Sequence, residues 1–128
     1  MGLAAEPILV VDDDEAIRTT VQSILVDEGY TVLGAADGVG ALDLVCRQPP
    51  SLILLDMKMP VMDGWGFARA YRAQPRPHAP IVVLTAAVNA GQRTAEIGAR
   101  GYLAKPFNLD DLLAMVSQCL SHDRGEHE

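Results

Sequence analysis

Aromatic side chains are scarce in this chain: two Phe, three Tyr and one Trp, 5% of the residues. Cysteine is scarcer still, at two, and 10 basic residues face 17 acidic ones, for a formal net charge of −7. Each shortage excludes something. Cys46 and Cys119 have no paired spacing that would suit a disulfide framework or a thiolate metal site. Both fall inside apolar helical patterns, so both are expected to be core thiols of a reducing, cytoplasmic compartment. The basic deficit removes the clustered Lys and Arg that direct nucleic-acid contact needs. No apolar run approaches the roughly 20 residues of a membrane span. Residues 1–6 carry no basic n-region and no apolar h-region, and Glu6 stands where a myristoylation site needs Ser or Thr. Internal repeats, long linkers and low-complexity tracts are missing as well.

What remains is a chain of 128 residues, 49% of them apolar. That length and composition suit one domain with a full core, expected over about residues 6–120, ahead of a polar tail at 121–128. The stretch that organises the rest is Leu52-Ile53-Leu54-Leu55-Asp56. Four aliphatic residues running into one carboxylate fit a strand buried on both faces. Met57-Lys58-Met59-Pro60 and Asp63-Gly64 then break the pattern. Ile8-Leu9-Val10-Val11 is a second such run, ending in Asp12-Asp13-Asp14, and Ile81-Val82-Val83-Leu84 a third, ending at Thr85. Residues 31–35 and Gly101-Tyr102-Leu103-Ala104 read as shorter strands, the last ending in Lys105-Pro106.

Helical patterns alternate with these strands. Ile17, Val21, Ile24 and Leu25 make one stripe, closed by Gly29. Asp37 caps a second helix whose buried face is Ala41, Leu42, Val45 and Cys46. A third is expected over about 65–73, with Phe67, Ala68 and Tyr71 packing inward. The fourth, over 89–99, has a thin apolar face flanked by Gly91 and Gly98. Asn108 caps the last, with Leu109, Leu112, Leu113, Val116 and Leu120 on its stripe.

Five strand–helix alternations predict βαβ units with right-handed crossovers: an α/β, doubly wound, five-stranded parallel sheet with helices on both faces. Parallel strands end on one edge, so Asp12, Asp13, Asp56, Thr85 and Lys105 converge there. Carboxylates so placed repel by roughly 4 kcal/mol per pair at about 4 Å and an effective dielectric near 20, and call for a cation. All-oxygen ligands suit Mg²⁺. Lys105 adds a charge for a phosphate oxygen and Thr85 a hydroxyl donor, a set able to accept a phosphoryl group on a carboxylate.

The chain resembles the receiver domain of two-component response regulators, in the manner of the single-domain chemotaxis regulators. The resemblance rests on residues 8–15, on the run from Leu52 through Asp56 to Met59-Pro60-Val61-Met62-Asp63-Gly64, on Val82-Val83-Leu84-Thr85-Ala86, and on Gly101-Tyr102-Leu103-Ala104-Lys105-Pro106-Phe107. It implies a flavodoxin-like (βα)5 fold with Asp56 as phosphoacceptor. It implies Asp12 and Asp13 as the Mg²⁺ acid pair, joined by the backbone carbonyl of Lys58, and Lys105 binding the phosphoryl group. Thr85 and Tyr102 become a switch pair, and the bond before Pro106 is usually cis in the family. The implied partners are a sensor histidine kinase or phosphotransfer protein upstream, and a downstream protein target or covalently attached output domain. Catalysis would be confined to the domain's own Mg²⁺-dependent phosphorylation and dephosphorylation. Thr85 and Lys105 stand about two residues closer than the family's usual spacing, and Lys58 and Ala87 occupy positions that tune phosphate lifetime in the family. An interaction domain of the same fold, independent of phosphorylation, is the alternative. A flavin module is disfavoured, because three acids stand where a phosphate loop would be.

Overall fold

A computed structural model describes residues 6–75, 77–86 and 90–125, with side chains at all of these except 90, 93 and 122–125. Ten elements alternate: β1 (Ile8–Val11), α1 (Glu15–Asp27), β2 (Val32–Ala35), α2 (Gly38–Arg47), β3 (Leu52–Asp56), α3 (Gly64–Arg72), β4 (Ile81–Thr85), α4 (Ala90–Ile97), β5 (Gly101–Ala104) and α5 (Leu109–Gly125). The strands form one parallel sheet in the order β2-β1-β3-β4-β5. This is the doubly wound, flavodoxin-like (βα)5 architecture that the alternation predicts.

Successive residues of each strand face opposite sides, and the core divides accordingly. Leu9, Val11, Ile53, Leu55, Ile81 and Val83 pack with Ala41, Val45, Phe67 and Tyr71 under α2 and α3. Ile8, Val10, Leu52, Leu54, Val82 and Leu84 pack with Val21, Leu25, Leu112 and Val116 under α1 and α5. The central strands need aliphatic residues at every position because both faces are covered. Each side chain so buried contributes roughly 1.5–3 kcal/mol.

Short polar residues set the helix starts. Asp14, Asp37 and Asp63 accept from the backbone N–H of Ile17, Gly40 and Gly66, and Asn108 Oδ1 accepts from Asp111 N at 2.8 Å. Such caps satisfy N–H groups that the first turn leaves without partners. Gly29 follows α1 with φ +97°, where a Cβ would be strained.

Three expectations need correction. Cys46 is exposed while Cys119 is buried, so only one thiol is a core thiol. On α2 the buried residues are Gly38, Ala41 and Val45; Cys46 lies one step of about 100° further round the helix from Val45. Leu109 is likewise exposed, and the buried stripe of α5 runs through Leu112, Val116 and Cys119. α5 itself continues into the expected polar tail, to Gly125. The fourth helix is short, at eight residues; residues 87–89, including Ala87 and the expected start of this helix, lie outside the described residues.

Candidate functional site

The carboxyl edge of the sheet gathers the acids. Asp12, one residue past β1, is fully buried, and its backbone N donates to Ala35 O at 3.1 Å. Asp56, the last residue of β3, is 7% exposed, while Asp13 faces outward. One carboxylate oxygen from each of the three lies within 4.8 Å of the others. Three carboxylates at that separation form an all-oxygen donor set suited to a hard divalent cation.

Lys105 bridges the two buried members of this trio from the end of β5. Its Nζ lies 2.8 Å from Asp12 Oδ2 and 3.7 Å from Asp56 Oδ1, and its backbone N donates to Thr85 O at 2.8 Å. Asp12 Oδ1 accepts from Asp14 N at 2.9 Å, so both of its oxygens are engaged. Sequence reasoning missed a further participant, Arg18, whose guanidinium donates to the Asp12 carbonyl at 2.8 Å. The signal was its place on α1, one turn after the Asp14 cap, where a long side chain reaches back over the end of β1.

Electrostatics mark Asp56. Its carboxyl is pushed from 3.8 up to about 6, first by burial, which disfavours the charged form, and then by Asp12 and Asp13; Lys105 and a hydrogen bond from the Lys58 backbone oppose the rise. The Lys58 side chain itself is exposed.

The other expected site residues fall around this centre. Thr85 ends β4, is 2% exposed, and pairs in register with Ala104, while Tyr102 pairs with Val83. Paired residues of parallel strands share a face, so Thr85 and Tyr102 are diagonal neighbours on one side of the sheet. Tyr102 is 45% exposed. The Lys105–Pro106 peptide is cis. Between β3 and α3, Met62 N donates to Pro60 O at 2.7 Å, closing a tight turn around Val61, whose φ is +68° and which is 83% exposed. A β-branched residue is strained in that region. Beside the trio runs an apolar groove between α1 and the start of α5, lined by Ile17, Ile24, Phe107, Leu109 and Lys105.

A flavodoxin-like sheet whose carboxyl edge carries an acid trio, two of its members buried and bridged by a lysine, defines a class of domain with an anionic, cation-ready rim. Within it the chain belongs to the response regulator receiver domain family, whose sequence model matches residues 8–117. It is 44% identical over 123 aligned residues to the response regulator MprA of Mycobacterium sp. (strain KMS), covering 92% of this chain and 53% of that protein. The MprA of Mycobacterium tuberculosis (strain ATCC 25177 / H37Ra) is 41% identical over 121 residues, covering 93% of this chain and 52% of the relative. The chain thus spans about half the length of the curated relatives it matches. Among solved structures, the chemotaxis response regulator CheY4 of Vibrio cholerae superposes with a TM-score of 0.83 at 38% identity, covering 91% of this chain and 100% of that one. The receiver domain of NtrX from Brucella abortus does so with 0.82 at 31%, covering 89% and 98%. Among the described residues, no helix is long and apolar enough to cross a membrane.

Proposed function

We propose that this receiver domain accepts a phosphoryl group on a carboxylate oxygen of Asp56 from a phosphohistidine of a sensor kinase or phosphotransfer protein, with Mg²⁺ as cofactor. The change then passes to a downstream target or an attached output domain. One observation carries this reading: Asp12, Asp13 and Asp56 close to within 4.8 Å of one another beside Lys105.

Asp56 supplies the attacking oxygen. The phosphorus–oxygen bond forms as the phosphorus–nitrogen bond to the donor imidazole breaks, and the imidazole nitrogen keeps the electron pair. Asp12, Asp13 and Asp56, with the backbone carbonyl of Lys58, would hold the metal. A bound divalent cation offsets the charge of the carboxylates and of the transferring phosphoryl oxygens. Lys105, 3.7 Å from Asp56, pairs with a phosphoryl oxygen. Thr85 turns its hydroxyl toward the new acceptors, and Tyr102, on the same face, moves into the space behind it. The donor protein docks in the apolar groove between α1 and the start of α5, which has Lys105 at its edge.

The test is chemical. Acetyl phosphate with Mg²⁺ should label the protein once, with an alkali-labile acyl phosphate, and Asp56→Asn should abolish the label. Equal labelling of that variant overturns the assignment. Asp12→Asn with Asp13→Asn should weaken Mg²⁺ binding by calorimetry and slow labelling.

A further inference from the structure

The change from Asp56 through Thr85 to Tyr102 on β5 leaves α3 without a part. Yet α3 begins against the site. Gly64 N donates to Met57 O at 2.9 Å, one residue past Asp56. The approach has no slack: a methyl group on Gly64 would lie 2.8 Å from Met57 Cα and 2.9 Å from the Asp56 carbonyl oxygen. Any backbone shift at Asp56–Met57 is therefore passed to the first turn of α3.

That turn carries Trp65, whose indole N–H donates to Glu96 Oε1 of α4 at 3.0 Å. Gln92 Nε2, one turn earlier on α4, donates to the other Glu96 oxygen at 3.3 Å and so orients the carboxylate. Two turns along α3, the Arg72 guanidinium donates to Ile97 O and, at 3.1 Å, to Gly98 O. These are carbonyls that the end of α4 leaves without a helical partner. Between the two ties runs a groove lined by Ala68, Arg69 and Ile97. Of the described α4 side chains only Ile97 is buried. Ile97 is thus the one buried anchor among the described side chains of α4, and the polar ties to α3 add to it.

We propose that Trp65, Glu96 and Arg72 form a clasp that holds α4 in the unmodified protein, and that phosphorylation loosens it through Met57, Gly64 and α3. The proposal rests on the reading of Asp56 as phosphoacceptor. The three are positioning residues: they act on α4, not on the transferred group. Linkage then fixes a sign. If occupying the site loosens the clasp, removing the clasp must favour occupation of the site.

The experiment uses beryllium fluoride with Mg²⁺ as an equilibrium phosphoryl mimic, and acetyl phosphate for covalent labelling. Glu96→Ala removes an exposed acceptor, and Trp65→Phe keeps a ring but loses the N–H. Each should tighten beryllium fluoride binding about two- to fivefold, the range of one exposed charge-assisted hydrogen bond. The double variant should tighten it no further than either single one, because both remove the same bond; a purely structural role would give additive changes or none. Trp65 is the only tryptophan, so its emission reads the clasp directly. It should shift red when beryllium fluoride binds the parent, and already be shifted in Glu96→Ala. Amide exchange over 90–97 should quicken in parallel. Labelling at Asp56 with unchanged Trp65 emission, unchanged exchange and unchanged affinities overturns the clasp while leaving the phosphoacceptor standing. No label on Asp56 overturns both.

Discussion

β3, which ends at Asp56, and α4, which contributes none of the described site residues, are built in opposite ways. Every residue of β3 is buried, with paired strands on both sides and helices over both faces. Of the described side chains of α4, only Ile97 is buried, and the helix leans on α3 through Trp65 and Arg72. The contrast separates two demands. Holding three carboxylates together against their repulsion needs an element that cannot yield. Changing shape in response to that site needs one whose alternatives are close in energy.

The sharpest way to break this contrast is to cut both elements. Leu54→Ala should cost about 3–4 kcal/mol, because the surrounding strands cannot close over the cavity. Ile97→Ala should cost roughly half as much, since α4 can settle toward α3. Urea unfolding of the two variants decides; equal losses would mean that α4 is as tightly packed as the core.

Next in size are two changes at the end of β3. Gly64→Ala should destabilise by roughly 2 kcal/mol, because its methyl group meets, besides the Met57 sulfur, two backbone atoms of Asp56 and Met57 that cannot turn aside. A neutral result would show that α3 can stand off from Asp56 without loss. Asp56→Asn should act in the other direction, and only above acid pH. The Asp56 carboxyl titrates near 6 in the fold against 3.8 as the ordinary value, so the folded chain holds this proton more tightly than the unfolded one. Stability of the metal-free protein is therefore full below about pH 4 and falls as pH rises through about 6, by roughly 3 kcal/mol. The asparagine variant lacks that fall. In chelator it should melt above the parent at neutral pH, with the gap closing toward about pH 4. A variant melting level with the parent at neutral pH would remove burial as the cause.

The smallest effect belongs to α4. Gly91 is exposed, and a methyl group there meets nothing within 4 Å. Gly91→Ala should stabilise the helix by about 0.5–1 kcal/mol and slow amide exchange over 90–97. Unchanged exchange would mean that the ties to α3, not helix propensity, set its stability.

Much of this was legible in the sequence wherever one physical cue dominated. Ile8–Val11 and Leu52–Asp56 begin and end where unbroken aliphatic runs meet acids, because strands covered on both faces admit little else. The gathering of Asp12, Asp13 and Asp56 followed from strand direction alone. Cys46 and Leu109 were misplaced because an apolar stripe on a helix specifies a face only to within one residue either way. The clasp was invisible for another reason. Trp65–Glu96 and Arg72–Ile97 join residues 31 and 25 positions apart, and their meeting depends on how α3 and α4 lie side by side, which no local pattern encodes. Val61 was unreadable likewise, since nothing in its residue type announces a positive φ.

The unequal thiols give the molecule a chemical address. Cys46 stands open on α2, whereas Cys119 is covered under α5 and burial also pushes its thiol up, away from the reactive thiolate. A thiol reagent should therefore count one group in the folded chain and two in the unfolded one, which makes the rate of the second reaction a clock for opening of the α5 face. A dye placed on Cys46 and the lone indole of Trp65 then form a donor–acceptor pair joining α2 to α3, ready to report their separation without any engineered cysteine.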